Sequence, residues 1–258
     1  VQLENPVSAE YYYLRPSLIF PLFRELESNV KFLSDIKIFE VGNTFRREEK
    51  GGAIAERTKL AGMFTRGKGG DSLFYELKGI LNELFRVLGA EQIEYRLHKE
   101  LWCGVFIRSK TADIYINGAY VGYVGFVSPQ WLERFDVVHD VVAFELDINT
   151  LLPLTEKERV FAPVSKYPEV VRDISFVVDT EVFIDELEQV MYQAASNLLV
   201  DIDLFDMFEG ERLGAGKKSL SFHLTFRSDL KTLTGEEVTN DFTKIIVALR
   251  ERFNIEIR

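Results

Sequence analysis

The chain has 258 residues, of which 47% are hydrophobic and 28% are charged, so it can bury a sizeable core. It has no uninterrupted apolar run of the roughly 18 to 20 residues that a membrane span needs, and no signal-peptide pattern at its start, so we expect a cytoplasmic protein with no membrane partner. The formal charge of −10 divides into −3 for residues 1–160 (20 basic, 23 acidic) and −7 for residues 161–258 (11 basic, 18 acidic), which argues against DNA and against any nucleic-acid surface broader than a local basic strip.

The N-terminal part of the chain predicts a helix followed by a strand. Apolar residues recur at near-helical spacing at Leu18, Leu22, Leu26 and Val30. This spacing predicts a helix over roughly 18–33. The next segment, residues 36–47, is typical of a strand, and we expect Ile36, Ile38 and Val41 on its buried face.

A second strand, an amphipathic helix and a hairpin follow. The strand is predicted at 59–66 and the helix at 73–88, where Gly89 ends it. Asn117-Gly118 lies between two alternating runs and predicts a tight hairpin, because both turn positions require positive φ. This largely antiparallel α+β domain is completed by a helix at 129–135 and a strand at 141–148.

The polar segment TEKER, residues 155–159, is the candidate linker between a domain at 1–160 and a second domain at 161–258. The second domain predicts the element order strand, helix, strand, strand, helix, strand, which is the ferredoxin-like βαββαβ arrangement. Its second helix begins with Thr234 and Glu237 at the spacing of a capping box.

The third strand of the second domain alternates cleanly between two faces. The apolar set, predicted to face the helices, is Leu220, Phe222, Leu224 and Phe226. The opposite set is Ser221, His223, Thr225 and Arg227. In a two-layer fold this second side, which we call the open sheet face, is free to meet solvent or a partner. The neighbouring strands are expected to add Asp201, Asp203, Phe205, Met207, Asp173, Ser175 and Val177.

Positive charge in the second domain is concentrated at Lys217, Lys218, Arg227 and Lys231. One interpretation is a solvated hairpin edge whose lysines prevent aggregation. The other is contact with phosphate groups, with Ser221, His223 and Thr225 available for hydrogen bonds on the same strand.

Two glycine-rich segments resemble nucleotide-binding patterns incompletely. Residues Gly62–Gly69 match G-x-x-x-x-G-K but carry Gly69 where the magnesium-binding Ser or Thr belongs, so a flexible loop is favoured over a self-sufficient nucleotide enzyme. The glycines at 210–216 lie between two predicted strands, where no helix N-terminus can hold a pyrophosphate. We interpret them as a β–β connection.

No catalytic or metal constellation is predicted. Cys103 is the only cysteine, and the three histidines lack ligand-like spacing. The acidic pair Asp201/Asp203 lies on an exposed strand face, and Glu236/Glu237 lie in a first helical turn, where acids favour the helix dipole. We therefore expect no catalytic residue, metal or cofactor in this segment.

The run LFDMFEGERLGAGKKSLSFHLTFRSDLKTLTGEEV, with PVSKYPEVVRDISFVV before it, closely resembles the ferredoxin-fold anticodon-binding domain of bacterial phenylalanyl-tRNA synthetase β subunits. This likeness covers about Phe161 to Arg258. Upstream, NPVSAEYYYLRPSL, IFEVGNTF, ADIYINGAYVGYVGFVSP and VVAFELDINTLL resemble, in order, blocks of the synthetase-like core of the same subunit. The implied fold class is α+β, a class II synthetase-like antiparallel sheet domain followed by a ferredoxin-like domain.

The upstream part departs from catalytic class II synthetases at its last core strand. Catalytic members carry there a Gly-rich stretch ending in an arginine that holds ATP, whereas FELDINTLL has Glu145 and Asp147 and no arginine. Between Tyr95 and Lys110, where the family usually has a His-Pro-Gly-type turn, the sequence runs RLHKELWCGVFIRSK, and the resemblance does not extend to this segment. The resemblance therefore implies a core at 1–160 that is catalytically inactive.

The resemblance implies a subunit of an ATP-dependent phenylalanine–tRNA ligase. In that family two α and two β subunits form a heterotetramer; the α subunit activates phenylalanine with ATP and Mg²⁺, and the β subunit supports it and contacts tRNAPhe. The candidate phosphate contacts are Lys166, Arg172, Lys217, Lys218 and Arg227. The candidate base contacts are Phe205, Ser221 and His223. The competing hypothesis is a subunit-assembly module that makes no direct RNA contact.

Overall fold

The computed structural model describes residues 1–6, 12–48, 52–67, 70–98, 104–155, 165–210, 213–214 and 216–257. The chain divides into two compact units, residues 1–160 and 161–258. Residues 156–159 of the candidate linker, and Cys103, lie outside the described residues. Within the described ranges, no helix is long and apolar enough to cross a membrane.

The first unit is built on a six-stranded sheet with the order β1-β2-β6-β5-β4-β3, and every neighbouring pair is antiparallel. The strands are β1 Asp35–Arg47, β2 Ile54–Arg66, β3 Ile93–Leu97, β4 Phe106–Ile116, β5 Ala119–Val127 and β6 Val141–Asp147. The helices are α1 Ile19–Asn29, α2 Ser72–Leu88, α3 Pro129–Arg134 and α4 Ile148–Leu151. Strand β3 was not among the predicted elements.

Helices cover parts of both faces of this sheet, as alternate residues of β6 illustrate. Val141 and Ala143 pack in a cluster with α1 and α3, on the side that we call the α1 face. Val142, Phe144 and Leu146 pack in a second cluster with α2. Because successive strand residues point to opposite sides, an almost wholly apolar strand serves both layers.

Two predictions about α1 and β1 need correction. Helix α1 ends at Asn29 rather than near residue 33. On β1, Ile36 and Ile38 pack on the α1 face, but Val41 lies on the opposite side and is 59% exposed. An odd-numbered position cannot share a strand face with two even-numbered ones, so placing Val41 with them was wrong.

The helix α2 and the hairpin between β4 and β5 have the predicted endings. Gly89 follows α2 with φ of 72°, the left-handed conformation of a helix C-terminus. Asn117 and Gly118 have φ of 50° and 76°, which the two-residue turn requires. Both predictions are confirmed.

The second unit has the predicted βαββαβ order. Its elements are β7 Val170–Asp179, α5 Ile184–Ala194, β8 Leu199–Glu209, β9 Lys217–Phe226, α6 Gly235–Phe253 and β10 Glu256–Ile257. The sheet order is β10-β7-β9-β8, with antiparallel neighbours. Thr234 caps α6. Its hydroxyl accepts a hydrogen bond from the backbone N–H of Glu237, and the Glu237 carboxylate accepts one from the backbone N–H of Thr234. The α+β fold class is confirmed.

The second unit packs its helices on one side of the sheet only. The four apolar residues of β9, Leu220, Phe222, Leu224 and Phe226, are fully buried beneath α5 and α6. The alternation read from the sequence therefore assigned the buried side correctly, and the open sheet face is the other side.

Candidate nucleic-acid interface

The open sheet face is a band of polar side chains centred on β9. His223 lies between Asp173 of β7 and Asp203 of β8 in the strand register. Ser221 lies opposite Ser175, and the two hydroxyl oxygens are 2.9 Å apart. Directly paired residues share a face, so these five side chains form one surface across three strands.

Phe205 adds an aromatic surface to this band. Its ring stacks on the imidazole of His223, with centroids 3.9 Å apart and planes inclined by 14°. The strand register shifts between Leu204 and Asp206, so Phe205 occupies an irregularity in β8 instead of a regular pair. The Nδ1 of His223 lies 2.8 Å from Asp173 Oδ1, which fixes the other edge of the imidazole.

The same irregularity overturns the predicted position of Met207. Beyond it, Met207 pairs with Leu220, whose side chain faces the helices, while Asp206 and Phe208 pair with Ser221 and Ser219. Met207 therefore leaves the open sheet face. Asp206 and Phe208 join it, which sequence alternation alone could not reveal because one extra residue reverses the side of every later one.

Three of the candidate cations lie beside carboxylates. Lys217 Nζ is 2.9 Å from Asp179 Oδ1, and this hydrogen bond raises the pKa of the lysine. Arg227 Nη1 is 2.8 Å from Glu169 Oε1, and Lys231 pairs with Glu237. The predicted basic strip is therefore a set of ion pairs whose net charge is small.

Lys218 and Arg172 both lie on the helix side of the strand register. Lys218 pairs with Val178 on the helix side of the sheet and is 7% exposed. Its ammonium donates to the carbonyl oxygens of Thr180 and Val182 at 3.1 and 2.6 Å, and burial lowers its pKa. Lys218 therefore holds the connection between β7 and α5, and its buried ammonium is poorly placed for the phosphate contact expected of it.

Arg172 pairs with Leu224, also on the helix side of the register, although its side chain is exposed. Lys166 is exposed ahead of β7. Within the described ranges, neither residue has an acidic partner within 4 Å. They are the candidate cations with the least neutralised charge.

In the first unit, the two carboxylates found at the position of the absent arginine stabilise the fold. Glu145 is 2% exposed and accepts from the Ser17 hydroxyl at 2.6 Å and the Leu18 backbone N–H at 2.8 Å. Asp147 precedes α4 and accepts from the Thr150 backbone N–H at 3.0 Å. Each carboxylate accepts a hydrogen bond from a backbone N–H at the start of a helix. Neither carboxylate is therefore positioned as a general acid or base.

The glycine-rich segments have the structures of strands and connections. Gly62 lies inside β2, and residues 62–65 pair with both β1 and β6, so they cannot form a phosphate-binding loop. Residues 68 and 69 lie outside the described residues. Gly214 and Gly216, with φ of 92° and 74°, connect β8 to β9 as predicted.

Two protein-family models match the chain, one in each unit. Residues 1–148 match the family model described as the phenylalanyl tRNA synthetase beta chain CLM domain. Residues 165–258 match the ferredoxin-fold anticodon binding domain.

Curated relatives are similar over the whole chain. Phenylalanine–tRNA ligase beta subunits of Bacillus cereus and Listeria innocua are each 34% identical, over 100% of this chain and 33% of their own length. The beta subunit of Clostridium acetobutylicum is 30% identical, over 100% of this chain and 32% of its own. This chain therefore spans about a third of the length of these relatives. Because the first family model alone covers more than half of the chain, the chain belongs to the phenylalanyl-tRNA synthetase beta chain family.

Proposed function

We propose that this chain is part of the β subunit of phenylalanine–tRNA ligase and that its second unit binds the anticodon region of tRNAPhe. The observation that carries the proposal is an exposed aromatic pair, Phe205 and His223, on the uncovered sheet face of a unit that matches an anticodon-binding model. Single-stranded anticodon bases are unstacked, so an aromatic face can receive them.

The surroundings of this pair suit base edges better than phosphates. Asp203, Asp206 and Asp173 lie on the same face, and carboxylates accept hydrogen bonds from the amino groups of bases. Arg227 and Lys217 lie beside their acidic partners, so only a small net attraction remains for the RNA backbone. We expect the isolated chain to bind tRNA weakly and the whole enzyme, which holds the tRNA at other points too, to bind it well.

The first unit is proposed as a non-catalytic support for the catalytic α subunit. The carboxylates of Glu145 and Asp147 cap helices. The segment FELDINTLL also lacks the arginine that holds ATP at the corresponding position of catalytic class II synthetases. ATP and Mg²⁺ would then be used by the α subunit. The proposed assembly is a heterotetramer of two α and two β subunits that works in the cytoplasm.

The test is steady-state aminoacylation by the assembled enzyme carrying substitutions on the open sheet face. Replacement of Phe205 or His223 by alanine should raise KM for tRNA and leave KM for phenylalanine and ATP unchanged. A filter-binding titration of the 258-residue chain should show weak, salt-sensitive tRNA binding. Tight and salt-insensitive binding by the isolated chain would contradict the proposal.

A second candidate function, an assembly module without RNA contact, is favoured by one observation. Large apolar side chains project from the edge strand β1 of the first unit, where Phe39 is 74% exposed and Val41 is likewise uncovered. Such side chains fit a subunit interface. Charge reversal of Lys217 in the assembled enzyme separates the two functions. If KM for tRNA is unchanged in both Lys217→Glu and Phe205→Ala, the chain is favoured as an assembly module that does not contact RNA.

A further inference from the structure

Two adjacent lysines begin β9, and their side chains lie on opposite sides of the sheet. Lys217 shares the side of Ser219 and Ser221, which is the open sheet face, and it pairs with Asp179 in the strand register. Lys218 faces the helices and is 7% exposed. Because successive strand residues alternate between the two faces, one lysine is accessible to a partner and the other is not.

The ammonium group of Lys218 joins three parts of the second unit. It donates to the backbone carbonyl oxygens of Thr180 and Val182, 3.1 and 2.6 Å away, in the connection between β7 and α5. The backbone N–H and the hydroxyl of Thr180 both donate to the Gly216 carbonyl oxygen, at 2.9 and 3.2 Å. The start of β9, the β7–α5 connection and the end of the β8–β9 connection are therefore tied together at Lys218.

The β8–β9 connection contains glycines whose backbone conformation must be held by other residues. Gly214 and Gly216 have φ of 92° and 74° and have no side chain with which to pack. Glycine loses more conformational freedom than any other residue when its backbone is fixed. Hydrogen bonds from Thr180 to Gly216 offset part of that cost before a ligand arrives.

We propose that Lys218 is a positioning residue for tRNA binding, which holds the end of β9 from which Lys217 reaches the RNA backbone. This inference rests on the proposed function of the open sheet face. A contact that is held in place beforehand costs less conformational entropy when RNA binds. The ammonium of Lys218 is engaged by two carbonyl oxygens, whereas Lys217 has only to exchange its exposed partner Asp179 for a phosphate. One lysine therefore fixes the backbone and the other meets the RNA.

The experiment is a double-mutant cycle in the assembled enzyme, measured by steady-state aminoacylation at varied tRNA concentration. Lys217→Gln and Lys218→Met should each raise KM for tRNA by about two- to fivefold and leave the turnover number unchanged. The double variant should be no worse than the more affected single variant, because Lys218 acts through Lys217. If the two effects multiply in the double variant, Lys218 does not act through Lys217 and the proposal is wrong.

Thr180→Val separates position from charge. It removes the hydroxyl bond to Gly216 without changing the charge of the chain, and it should also raise KM for tRNA. A Thr180→Val enzyme with the KM of the parent would count against the proposal even if Lys218→Met did not fold. Circular dichroism verifies the folding of each variant.

Lys244→Met is the matched control for the loss of a structural lysine. The ammonium of Lys244 also holds a group of the protein, the buried carboxylate of Asp241 at 2.9 Å, but it belongs to α6 in the helix layer. KM for tRNA should equal that of the parent enzyme. An increase as large as that of Lys218→Met would show that general loss of stability explains both, and it would overturn the proposal.

Amide hydrogen exchange of the assembled enzyme without RNA tests the tie itself. The N–H of Thr180 should exchange about tenfold faster in Lys218→Met and at the parent rate in Lys244→Met. Unchanged exchange in Lys218→Met would refute the positioning role and leave the proposed function standing. Faster exchange without a higher KM for tRNA would refute it too, provided that Phe205→Ala raises KM; if Phe205→Ala does not, the proposed function fails as well.

Discussion

Phe205 and His223 form a stacked pair that joins β8 to β9 on the open sheet face, with ring centroids 3.9 Å apart. The imidazole is held on its other edge by Asp173 of β7. Three strands therefore fix the position of one aromatic surface. Phe205 remains 47% exposed, so its outer side is available to an incoming base without rearrangement of the sheet.

The first prediction concerns this exposed ring. In the assembled enzyme, Phe205→Ala should raise KM for tRNA by about fivefold or more, because stacking of one base on an aromatic side chain is worth ~1–3 kcal/mol. The turnover number should change little, since the proposed catalytic site lies on another subunit. Steady-state aminoacylation at varied tRNA concentration measures both constants.

Tyr192→Ala is the matched control for this substitution. Tyr192 is an aromatic residue with the same exposed fraction, 47%, but it belongs to α5 in the helix layer behind the sheet. It should leave KM for tRNA unaltered. If the two variants behave alike, the open sheet face has no special part in tRNA binding.

The layer organisation of the second unit could be predicted from its sequence because β9 alternates without interruption. Leu220 and Phe222 had to be buried, and Ser221 and His223 had to share the opposite side. The same rule already placed Lys218 on the side of Leu220, so its burial followed from the pattern although the charge suggested otherwise.

Other features of the candidate site depend on partners that are distant in the sequence. Arg227 and Glu169 are 58 positions apart, and strand pairing alone brings them within 2.8 Å. The irregularity at Phe205 has no local signal such as glycine, and it reverses the faces of Met207 and Phe208. The neutralisation of Arg227 by Glu169 and the sheet face of Met207 and Phe208 are therefore determined by tertiary structure.

The second prediction tests the neutralised arginine. Glu169→Gln should strengthen tRNA binding by about two- to fivefold, since it removes the acid that competes with phosphate for Arg227, and an exposed ion pair is worth ~0.2–1 kcal/mol. Arg227→Gln should weaken binding and reduce the slope of log affinity against log salt by about 0.7 to 0.9. Filter binding to the assembled enzyme at several salt concentrations measures both effects.

Asp71→Asn provides the control for a simple gain in net charge. Asp71 pairs with Lys110 at 2.7 Å on the surface of the first unit, so its replacement removes one negative charge without exposing Arg227. Its effect on tRNA binding should be small because the ion pair between Arg227 and Glu169 stays intact. An Arg227→Gln variant with an unchanged salt slope would remove Arg227 from the set of phosphate contacts.

The third prediction concerns how the stability contributed by Glu237, at the start of α6, depends on pH. Hydrogen bonds from Lys231 and Thr234 lower the pKa of Glu237 from 4.5 to about 2. A carboxyl group whose pKa is lower in the folded state than in the unfolded state stabilises the fold at pH values above its unfolded pKa. This contribution is lost as the pH falls from 4.5 toward 2. Glu237→Gln should therefore be less stable than the parent chain at neutral pH, and the difference should narrow in acid.

Urea unfolding of the two chains between pH 7 and pH 3 measures this difference. Glu236→Gln is the control, because Glu236 occupies the same first turn of α6 but takes no part in the reciprocal bonds with Thr234. The difference for Glu236→Gln should vary less over this range. A Glu237→Gln difference that stays constant with pH would show that the carboxylate is not the stabilising form.

The fourth prediction concerns Glu145, the buried carboxylate at the start of α1. In Glu145→Ala the Ser17 hydroxyl and the Leu18 N–H lose their acceptor, and Lys59 loses a neighbouring charge, so the first unit should be destabilised by ~3–5 kcal/mol. Both tryptophans, at positions 102 and 131, belong to this unit, so their fluorescence in urea reports its unfolding. Glu83→Ala, which removes an exposed ion pair with Arg86, should cost no more than about 1 kcal/mol. A loss for Glu145→Ala as small as that of the control would mean that this carboxylate has no structural role at the start of α1.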